Sequence, residues 1–142
     1  MTNLSPDAIS KTLSANDTGE TGGHQAGILV PKGGRILSFF PALNKNSKNP
    51  RHTLVFYDDA ASRWDFEFIY YNNVFFGGTR NEYRLTGMTS FFRSHNLKAG
   101  DELRLRRDGD GRRHVTYKRL QAVTARGTGK LHLGSTWKVI EF

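Results

Sequence analysis

The stretch RWDFEFIYYN, residues 63–72, decides the fold class of this chain. Its aromatic and charged residues alternate with the two-residue period of a β-strand that is buried on one face. The aromatic face carries Trp64, Phe66, Phe68 and Tyr70, and the opposite face carries Asp65 and Glu67. The preceding stretch HTLVFYD, residues 52–58, predicts a second strand, and DAAS between the two predicts a hairpin turn.

Further short apolar stretches, separated by turn signals, extend this pattern along the chain. The other predicted strands are KTLS (11–14), AGILVPK (26–32), DELRLRR (101–107), RRHVTYKRL (112–120) and STWKVIEF (135–142). GRILSFFPAL (34–43) and TSFFRSHN (89–96) predict two short helices, and DGDG (108–111) predicts a hairpin turn because Asp-Gly tolerates positive φ. About seven strands with two short helices indicate a mostly β protein, either an open antiparallel barrel or a sandwich.

Length and composition limit the class of protein. The chain has 142 residues, of which 37% are hydrophobic and 12% aromatic, so we expect one domain over residues 11–142 after a loose leader of residues 1–10. It has no cysteine, no long apolar run and no N-terminal signal peptide, which indicates a cytoplasmic protein without disulfides or membrane spans. The net charge of +8 favours a polyanionic partner, most commonly nucleic acid.

No arrangement of residues in the sequence predicts a catalytic centre, a cofactor or a metal site. The five histidines are scattered, and the glycine-rich segment lacks the Lys-Ser/Thr ending of a phosphate-binding loop. Asp65 and Glu67 could together hold a divalent cation, as in a nuclease, but no lysine stands beside them on the same strand. We therefore expect a solvated strand face there, no catalytic residue and no small-molecule substrate.

Two polar stretches carry the kinds of side chain that read base edges in DNA. SANDTGETGGHQAG, residues 14–27, has no aliphatic side chain larger than alanine. GGTRNEYRLT, residues 77–86, contains arginine, asparagine and glutamate, which can pair with guanine, adenine and cytosine respectively. On a strand, Arg80, Glu82 and Arg84 share one face and could address neighbouring base pairs. The same spacing fits a surface strand on which Glu82 only pairs with the two arginines, and the residues alone leave both interpretations open.

The two stretches in this order, LSANDTGETGGHQAG (13–27) and then FFGGTRNEYRLT (75–86), resemble the effector domain of the EcoRII-type restriction endonucleases. That domain is similar in fold to the DNA-binding pseudobarrel of the plant B-three transcription factors, and LKAGDELRL (97–105) is similar to the start of a late strand in the plant domains. The resemblance implies a seven-stranded open β-barrel that holds double-stranded DNA between two arms in the major groove. It also implies a short, nearly palindromic site such as 5′-CCWGG, and a separate nuclease domain in the parent enzyme.

Matching positions give the residues for which the resemblance implies DNA contact. The N-terminal arm, residues 14–25, offers Ser14, Asn16, Asp17, Thr18, Thr21, His24 and Gln25. The C-terminal arm, residues 79–84, offers Thr79, Arg80, Asn81, Glu82, Tyr83 and Arg84, with Tyr83 standing where a basic residue is expected. Candidates for phosphate contacts are Lys11, Lys32 and Arg35.

We therefore interpret the chain as a sequence-specific DNA-binding domain, monomeric on its own, that binds duplex DNA and does not cut it. The alternative is a small barrel that binds single-stranded DNA or RNA without sequence preference, using exposed aromatic side chains as stacking platforms. Most aromatic residues here occupy predicted core-facing strand positions, which counts against that alternative.

Overall fold

One curled sheet carries most of the chain in the computed structural model, which describes residues 6–19, 27–120 and 137–140. Within those residues the sheet has eight strands: β1 Ala8–Thr12, β2 Ile28–Val30, β3 Arg51–Tyr57, β4 Arg63–Tyr71, β5 Glu82–Thr86, β6 Glu102–Arg107, β7 Arg113–Lys118 and β8 Trp137–Val139. The same residues form three short α-helices, α1 Ala15–Thr18, α2 Gly34–Ser38 and α3 Thr89–Ser94, and a 3-10 helix at Asn73–Phe76. None of these helices is long and apolar enough to span a membrane.

The strands follow the spatial order β2-β5-β4-β3-β7-β6-β1-β8. All neighbours run antiparallel except β3 and β7, which pair in parallel. The β3–β4 and β6–β7 hairpins confirm the two that the sequence predicts. In each turn the Oδ1 atom of an aspartate, Asp58 or Asp108, accepts hydrogen bonds from two backbone N–H groups further along. Both hairpins therefore depend on a side chain that stabilises its own turn.

The aromatic face of β4 forms the centre of the core, as the alternation in its sequence predicts. Phe66 and Phe68 are fully buried, whereas Asp65 on the other face is exposed. Four rings stack into what we call the aromatic ladder, which consists of Phe40, Phe68, Tyr83 and Tyr70 in that order. Successive ring centroids are 4.6, 5.6 and 4.2 Å apart. The ladder connects the segment after α2 with β4 and β5, so the core and the end of β4 form one packed unit.

The two outermost strands, β2 and β8, meet at a seam where the sheet curls back on itself. The indole N–H of Trp137 in β8 donates to the carbonyl oxygen of Leu29 in β2 at 2.9 Å. The Trp137 ring also meets Phe40 edge-on, with centroids 6.4 Å apart. In the described ranges no backbone ladder joins β2 to β8. The sheet is therefore an open barrel, which confirms the predicted fold with eight strands in place of seven.

Three details differ from the sequence-based expectations. β1 begins at Ala8, so residues 8–10 of the expected leader belong to the sheet, where β1 is paired on both sides by β6 and β8. The strand expected at residues 11–14 ends at Thr12, because Ser14 is the N-cap of α1. The sequence predicts two helices, which correspond to α2 and α3; α1 is an additional α-helix in the described residues.

The aromatic ladder leads to a prediction about stability. We expect Phe68→Ala to lower the free energy of unfolding by about 3–5 kcal/mol, because it leaves a cavity between two stacked rings. The measurement is urea denaturation followed by tryptophan fluorescence. Phe75→Ala is the matched control, since Phe75 is 67% exposed, and it should change stability by less than about 0.5 kcal/mol. Similar losses for the two variants would contradict the placement of Phe68 in the core.

Candidate nucleic-acid interface

A cleft of about 640 Å³ opens at the seam, between the two predicted arms. Its lining includes Asn16 and Asp17 from the N-terminal arm, Asn81, Glu82 and Arg84 from the C-terminal arm, and Leu29 and Trp137 from the seam. The N-terminal arm follows β1, which neighbours β8, and the C-terminal arm leads into β5, which neighbours β2. Curling of the sheet therefore brings together two segments that are far apart in the sequence.

The N-terminal arm begins with one turn of helix that local hydrogen bonds define. Ser14 Oγ accepts a hydrogen bond from Asp17 N at 3.1 Å, and Asp17 Oδ2 accepts one from Ser14 N at 2.9 Å. This reciprocal pair is a capping box, and Gly19 ends the helix in the left-handed conformation at φ 84°. The Ser-x-x-Asp pattern of residues 14–17 is a sequence signal for such a cap, and the expectation of a simple loop overlooked it.

A buried ion pair attaches this helical turn to the barrel. Lys11 Nζ donates to Asp17 Oδ2 at 2.6 Å, and the two side chains are only 9% and 8% exposed. Lys11 was expected to contact phosphates; in the structure its ammonium group is buried, and Asp17 supplies the anionic partner that a buried ammonium needs. Asp17, expected to contact a base, has its Oδ2 atom engaged by Lys11 and by the backbone of Ser14.

The 3-10 helix Asn73–Phe76 supports the start of the C-terminal arm. Asn73 Oδ1 accepts from Arg80 N at 2.7 Å, and Val74 N donates to Arg80 O at 3.0 Å. The guanidinium of Arg80 lies over the ring of Tyr71, with Cζ 3.8 Å from the ring centroid, which is a cation–π contact. Both the backbone and the side chain of Arg80 are thus held by the barrel, while 46% of its side chain stays exposed.

Glu82, the first residue of β5, accepts hydrogen bonds from two arginines: Arg80, two residues before the strand, and Arg84, two residues further along it. Its Oε2 atom accepts from Arg80 Nη2 at 2.5 Å and from Arg84 Nε at 2.9 Å. Burial acts to raise the pKa of Glu82, but the hydrogen bonds and charges of the two arginines outweigh it and hold that pKa below its usual value. Glu82 is therefore an ionised carboxylate at neutral pH, and it can only accept hydrogen bonds.

A further contact of Arg84 connects the C-terminal arm to the backbone that follows the N-terminal arm. Its Nη1 atom donates to the carbonyl oxygen of Gly27 at 3.3 Å. Gly27 lies just beyond the N-terminal arm and immediately before β2. A Cβ atom at Gly27 would stand only 3.1 Å from the side chain of Thr86, so the backbone approaches β5 closely there. One side chain of the C-terminal arm therefore also fixes the backbone that follows the N-terminal arm.

Tyr83 faces the opposite side of β5 and lies outside the cleft. It is only 6% exposed and stacks within the aromatic ladder. Successive residues of a strand point to opposite faces, so Tyr83, which was expected to contact DNA, does not share the face of Glu82 and Arg84. Asn81 precedes β5 and lines the cleft, where its Oδ1 atom accepts from the hydroxyl of Tyr70 at 2.7 Å.

The remaining predicted contact residues are exposed, half-buried or outside the described residues. The exposed ones are Ser14, Asn16, Thr79, Lys32 and Arg35, of which Asn16 and Lys32 line the cleft. Thr18 is half-buried, and its hydroxyl donates to the carbonyl oxygen of Ala15 at 3.2 Å. The predictions for Thr21, His24 and Gln25 lie outside the described residues.

Four residues of this site are not among the predicted contact residues. Leu29 and Trp137 close the seam, while Tyr70 and Tyr71 hold side chains of the C-terminal arm. The two tyrosines stand side by side at the end of β4, and β5 pairs with that end in antiparallel register. The alternation of residues 63–72 placed Tyr70 on the core-facing side of the strand, but it predicted no role for the Tyr70 hydroxyl or for Tyr71.

The acidic face of β4 is paired with protein groups. Asp65 Oδ1 lies 2.8 Å from Arg63 Nε, and Glu67 Oε2 accepts from the hydroxyl of Thr53 at 2.7 Å. Across the described part of the chain, no group of three or more histidine, cysteine, aspartate and glutamate side chains is arranged to hold a metal ion. Each of the two carboxylates thus has a neighbouring protein donor.

Comparison with known proteins links both arms to one enzyme family. The family model for "Restriction endonuclease EcoRII, N-terminal" matches residues 5–99, a range that contains both arms. The type II restriction enzyme EcoRII of Escherichia coli is 46% identical over 79 residues, which are 54% of this chain and 19% of that enzyme. The resemblance stated from the sequence is thereby confirmed.

Plant proteins share the barrel. Auxin response factor 10 of Oryza sativa subsp. indica is 28% identical over 114 residues, which are 80% of this chain and 15% of that protein. A solved structure of an Arabidopsis FUS3–DNA complex matches with a TM-score of 0.62 and 20% identity, over 79% of this chain and 96% of that one. The chain thus spans less than a fifth of the length of these curated relatives. The FUS3 structure confirms the pseudobarrel fold.

The buried ion pair leads to a prediction about the N-terminal arm. We expect Lys11→Met to lower the free energy of unfolding by about 3 kcal/mol, because Asp17 then carries a buried charge without its cationic partner. Hydrogen exchange at the amides of Asp17 and Thr18 should accelerate, since α1 loses its attachment to β1. Lys32→Met removes an exposed lysine and serves as the control, with an expected change below about 0.5 kcal/mol. An equal response of the two variants would show that the pair does not hold α1.

Proposed function

This chain belongs to the family of the N-terminal domain of the restriction endonuclease EcoRII, and we propose that it binds double-stranded DNA at a short C/G-rich site such as 5′-CCWGG. The observation that carries the proposal is the row of Arg80, Glu82 and Arg84 beside a cleft whose other wall is the N-terminal arm. In the proposed complex the arms enter the major groove from its two sides. The domain would serve as the target-recognition part of a type II, EcoRII-like restriction enzyme.

The two arginines supply donors for guanine. An arginine fork can bond guanine O6 and N7 together in the major groove, and this is the commonest specific contact to DNA. Arg80 and Arg84 have side chains that are 46% and 26% exposed, so both can reach a ligand in the cleft without leaving the barrel. Their present bonds to Glu82 keep the forks extended over one face of β5. A C/G-rich site offers guanines on both strands, which suits two such forks.

Glu82 supplies the acceptor that makes this arm selective. Both arginines share its Oε2 atom, and no donor among the described residues contacts Oε1. Because the pKa of Glu82 is lowered, the residue approaches DNA as an anion. A carboxylate beside phosphates is costly unless it accepts a hydrogen bond, and the exocyclic N4 amino group of cytosine provides one. Sites that lack this amino group would leave Glu82 unpaired, so the residue works against wrong sequences.

The same proposal assigns no cleavage to this domain. The paired carboxylates Asp65 and Glu67 stay on a solvated strand face, away from the residues that line the cleft. We therefore propose that the domain binds as a monomer in the cytoplasm, and that cutting belongs to another part of the parent enzyme. Lys32 at the edge of the cleft and Arg35 on α2 are the proposed phosphate contacts.

The test is an equilibrium binding experiment with labelled duplexes and competitors. A CCWGG duplex should bind more tightly than a scrambled duplex of the same composition, and the preference should persist at raised salt because phosphate contacts weaken there first. Equal affinity for both duplexes, or competition by poly-pyrimidine single strands, would overturn the proposal. Incubation with Mg²⁺ should leave the duplex intact. Cleavage that disappears in Glu67→Ala would instead establish a nuclease centre on β4.

Arg80→Ala should reduce both affinity and discrimination. We expect a loss of about 1–3 kcal/mol in binding to the preferred duplex and a blunted response to substitution at one base pair. The measurement is fluorescence anisotropy against a set of singly substituted duplexes. Arg63→Ala is the matched control, because Arg63 is an exposed arginine at the far end of β4, paired with Asp65. Equal losses for Arg63→Ala and Arg80→Ala would argue against a base contact.

Lys32→Ala should weaken binding without changing sequence preference. If Lys32 contacts a phosphate, its removal lowers the affinity of preferred and scrambled duplexes by the same factor. The slope of log K against log salt should become shallower by about 0.9, the value for one phosphate contact on B-DNA. The measurement is a salt titration of both duplexes with wild-type and variant protein. An unchanged slope, or a loss confined to the preferred duplex, would contradict this assignment.

A further inference from the structure

Tyr70 is a buried residue whose hydroxyl contacts a side chain that lines the cleft. Its ring is part of the aromatic ladder, stacked on Tyr83 at a centroid distance of 4.2 Å and an interplanar angle of 7°. The residue is only 6% exposed, yet its hydroxyl donates to Asn81 Oδ1 at 2.7 Å. Asn81 lines the cleft between the arms. The bond from Tyr70 therefore connects the core directly to a side chain that a ligand in the cleft would meet.

The hydroxyl of Tyr70 is not required for the stacking. Phenylalanine occupies two other positions of the same ladder, Phe40 and Phe68, and stacks there without a hydroxyl. A buried hydroxyl is costly unless it is hydrogen-bonded, and the bond to Asn81 meets that need. A phenylalanine at position 70 would fill the same space in the ladder and need no partner. The contribution specific to tyrosine here is thus its effect on Asn81.

The backbone on either side of Asn81 is already held. Arg80 is bonded through its N and O atoms to Asn73 and Val74, and Glu82 pairs with Tyr71 in the β4–β5 ladder. The freedom left to Asn81 is rotation of its side-chain amide, which is broad and roughly two-fold. A freely rotating amide presents either its oxygen or its nitrogen to a base and cannot distinguish a donor from an acceptor.

We propose that Tyr70 is a positioning residue that sets the base preference of Asn81. A tyrosine hydroxyl can donate or accept, but the described residues offer its buried proton no acceptor other than Asn81 Oδ1. The bond therefore holds Oδ1 and leaves the Nδ2 donor of Asn81 for the cleft, and no acceptor among those residues contacts that nitrogen. A donor in this place selects an acceptor on the base edge, such as guanine O6 or N7, and not the amino group of cytosine or adenine. The inference rests on the proposed function, since it assigns one position of a DNA site.

The experiment compares Tyr70→Phe with wild type on duplexes that carry each base pair in turn at every position of the preferred site. Loss of the hydroxyl frees the amide of Asn81. At the base position that Asn81 contacts, the preference for a base that presents an acceptor over one that presents an amino group should therefore fall by about three- to tenfold, the equivalent of one hydrogen bond. The other positions should keep the wild-type pattern. Tyr57→Phe removes a hydroxyl from the opposite end of the β3–β4 hairpin and is the matched control.

A double-mutant cycle separates positioning from packing. In an Asn81→Ala background, Tyr70→Phe should have no further effect on base preference, because the side chain that it positions is gone. A uniform loss on all duplexes, or an effect that persists without Asn81, would overturn the inference. So would a Tyr70→Phe variant with unchanged base preference. A wild-type protein without duplex selectivity would reject the proposed function instead.

A spectroscopic readout tests the contact without any DNA. The Nδ2 signals of Asn81 should lie away from free-asparagine positions in the wild-type ¹⁵N–¹H spectrum, because Tyr70 donates to Oδ1 and holds the amide in one orientation. In Tyr70→Phe those signals should broaden or move toward free-amide positions, while the backbone spectrum stays close to wild type. Unchanged Asn81 side-chain signals in the variant would contradict the inference independently of the proposed function.

Discussion

The hydrogen bond from the Trp137 indole to the carbonyl oxygen of Leu29 is the contact on which the candidate site depends. It joins the first and last strands of the spatial order, which would otherwise be the two free edges of an open sheet. Edge strands carry unpaired backbone groups that must be covered or paired. In residues 6–19, 27–120 and 137–140 the indole of Trp137 bridges these edges, and no backbone ladder joins β2 to β8. The cleft opens beside this side-chain contact.

Two acidic residues at the cleft are both paired with basic ones, and burial separates their roles. Lys11 and Asp17 are almost fully buried, and breaking such a pair costs about 3–5 kcal/mol. Glu82 and Arg80 are 28% and 46% exposed, and exposed pairs contribute only about 0–1 kcal/mol. In the proposed complex a base edge therefore replaces the bond between Glu82 and Arg80 at little cost, whereas Asp17 stays bound to Lys11. The Lys11–Asp17 pair holds the start of the N-terminal arm, whereas we propose that the Arg80–Glu82 pair contacts a ligand.

The local elements of this fold were predictable from the sequence, and the long-range contacts were not. The alternation of residues 63–72 and the Asp-rich turns identified both hairpins, because strand period and turn chemistry are local properties. Applied to residues 80–84, the same two-residue period places Tyr83 on the face opposite Glu82. No local pattern joins Leu29 to Trp137, which lie 108 residues apart and meet only when the sheet curls. Burial of Lys11 likewise depends on which strands flank β1.

The two arms present their side chains from different kinds of support. The C-terminal arm rests on β4 and β5, where the aromatic ladder, the Arg80–Tyr71 contact and the Tyr70–Asn81 bond fix successive residues. The N-terminal arm starts from one helical turn held by a capping box and one ion pair. Side chains that are already fixed lose less conformational entropy on binding, and they tolerate less displacement of the partner groups. We therefore propose that a one-atom change in a base edge costs most at the C-terminal arm.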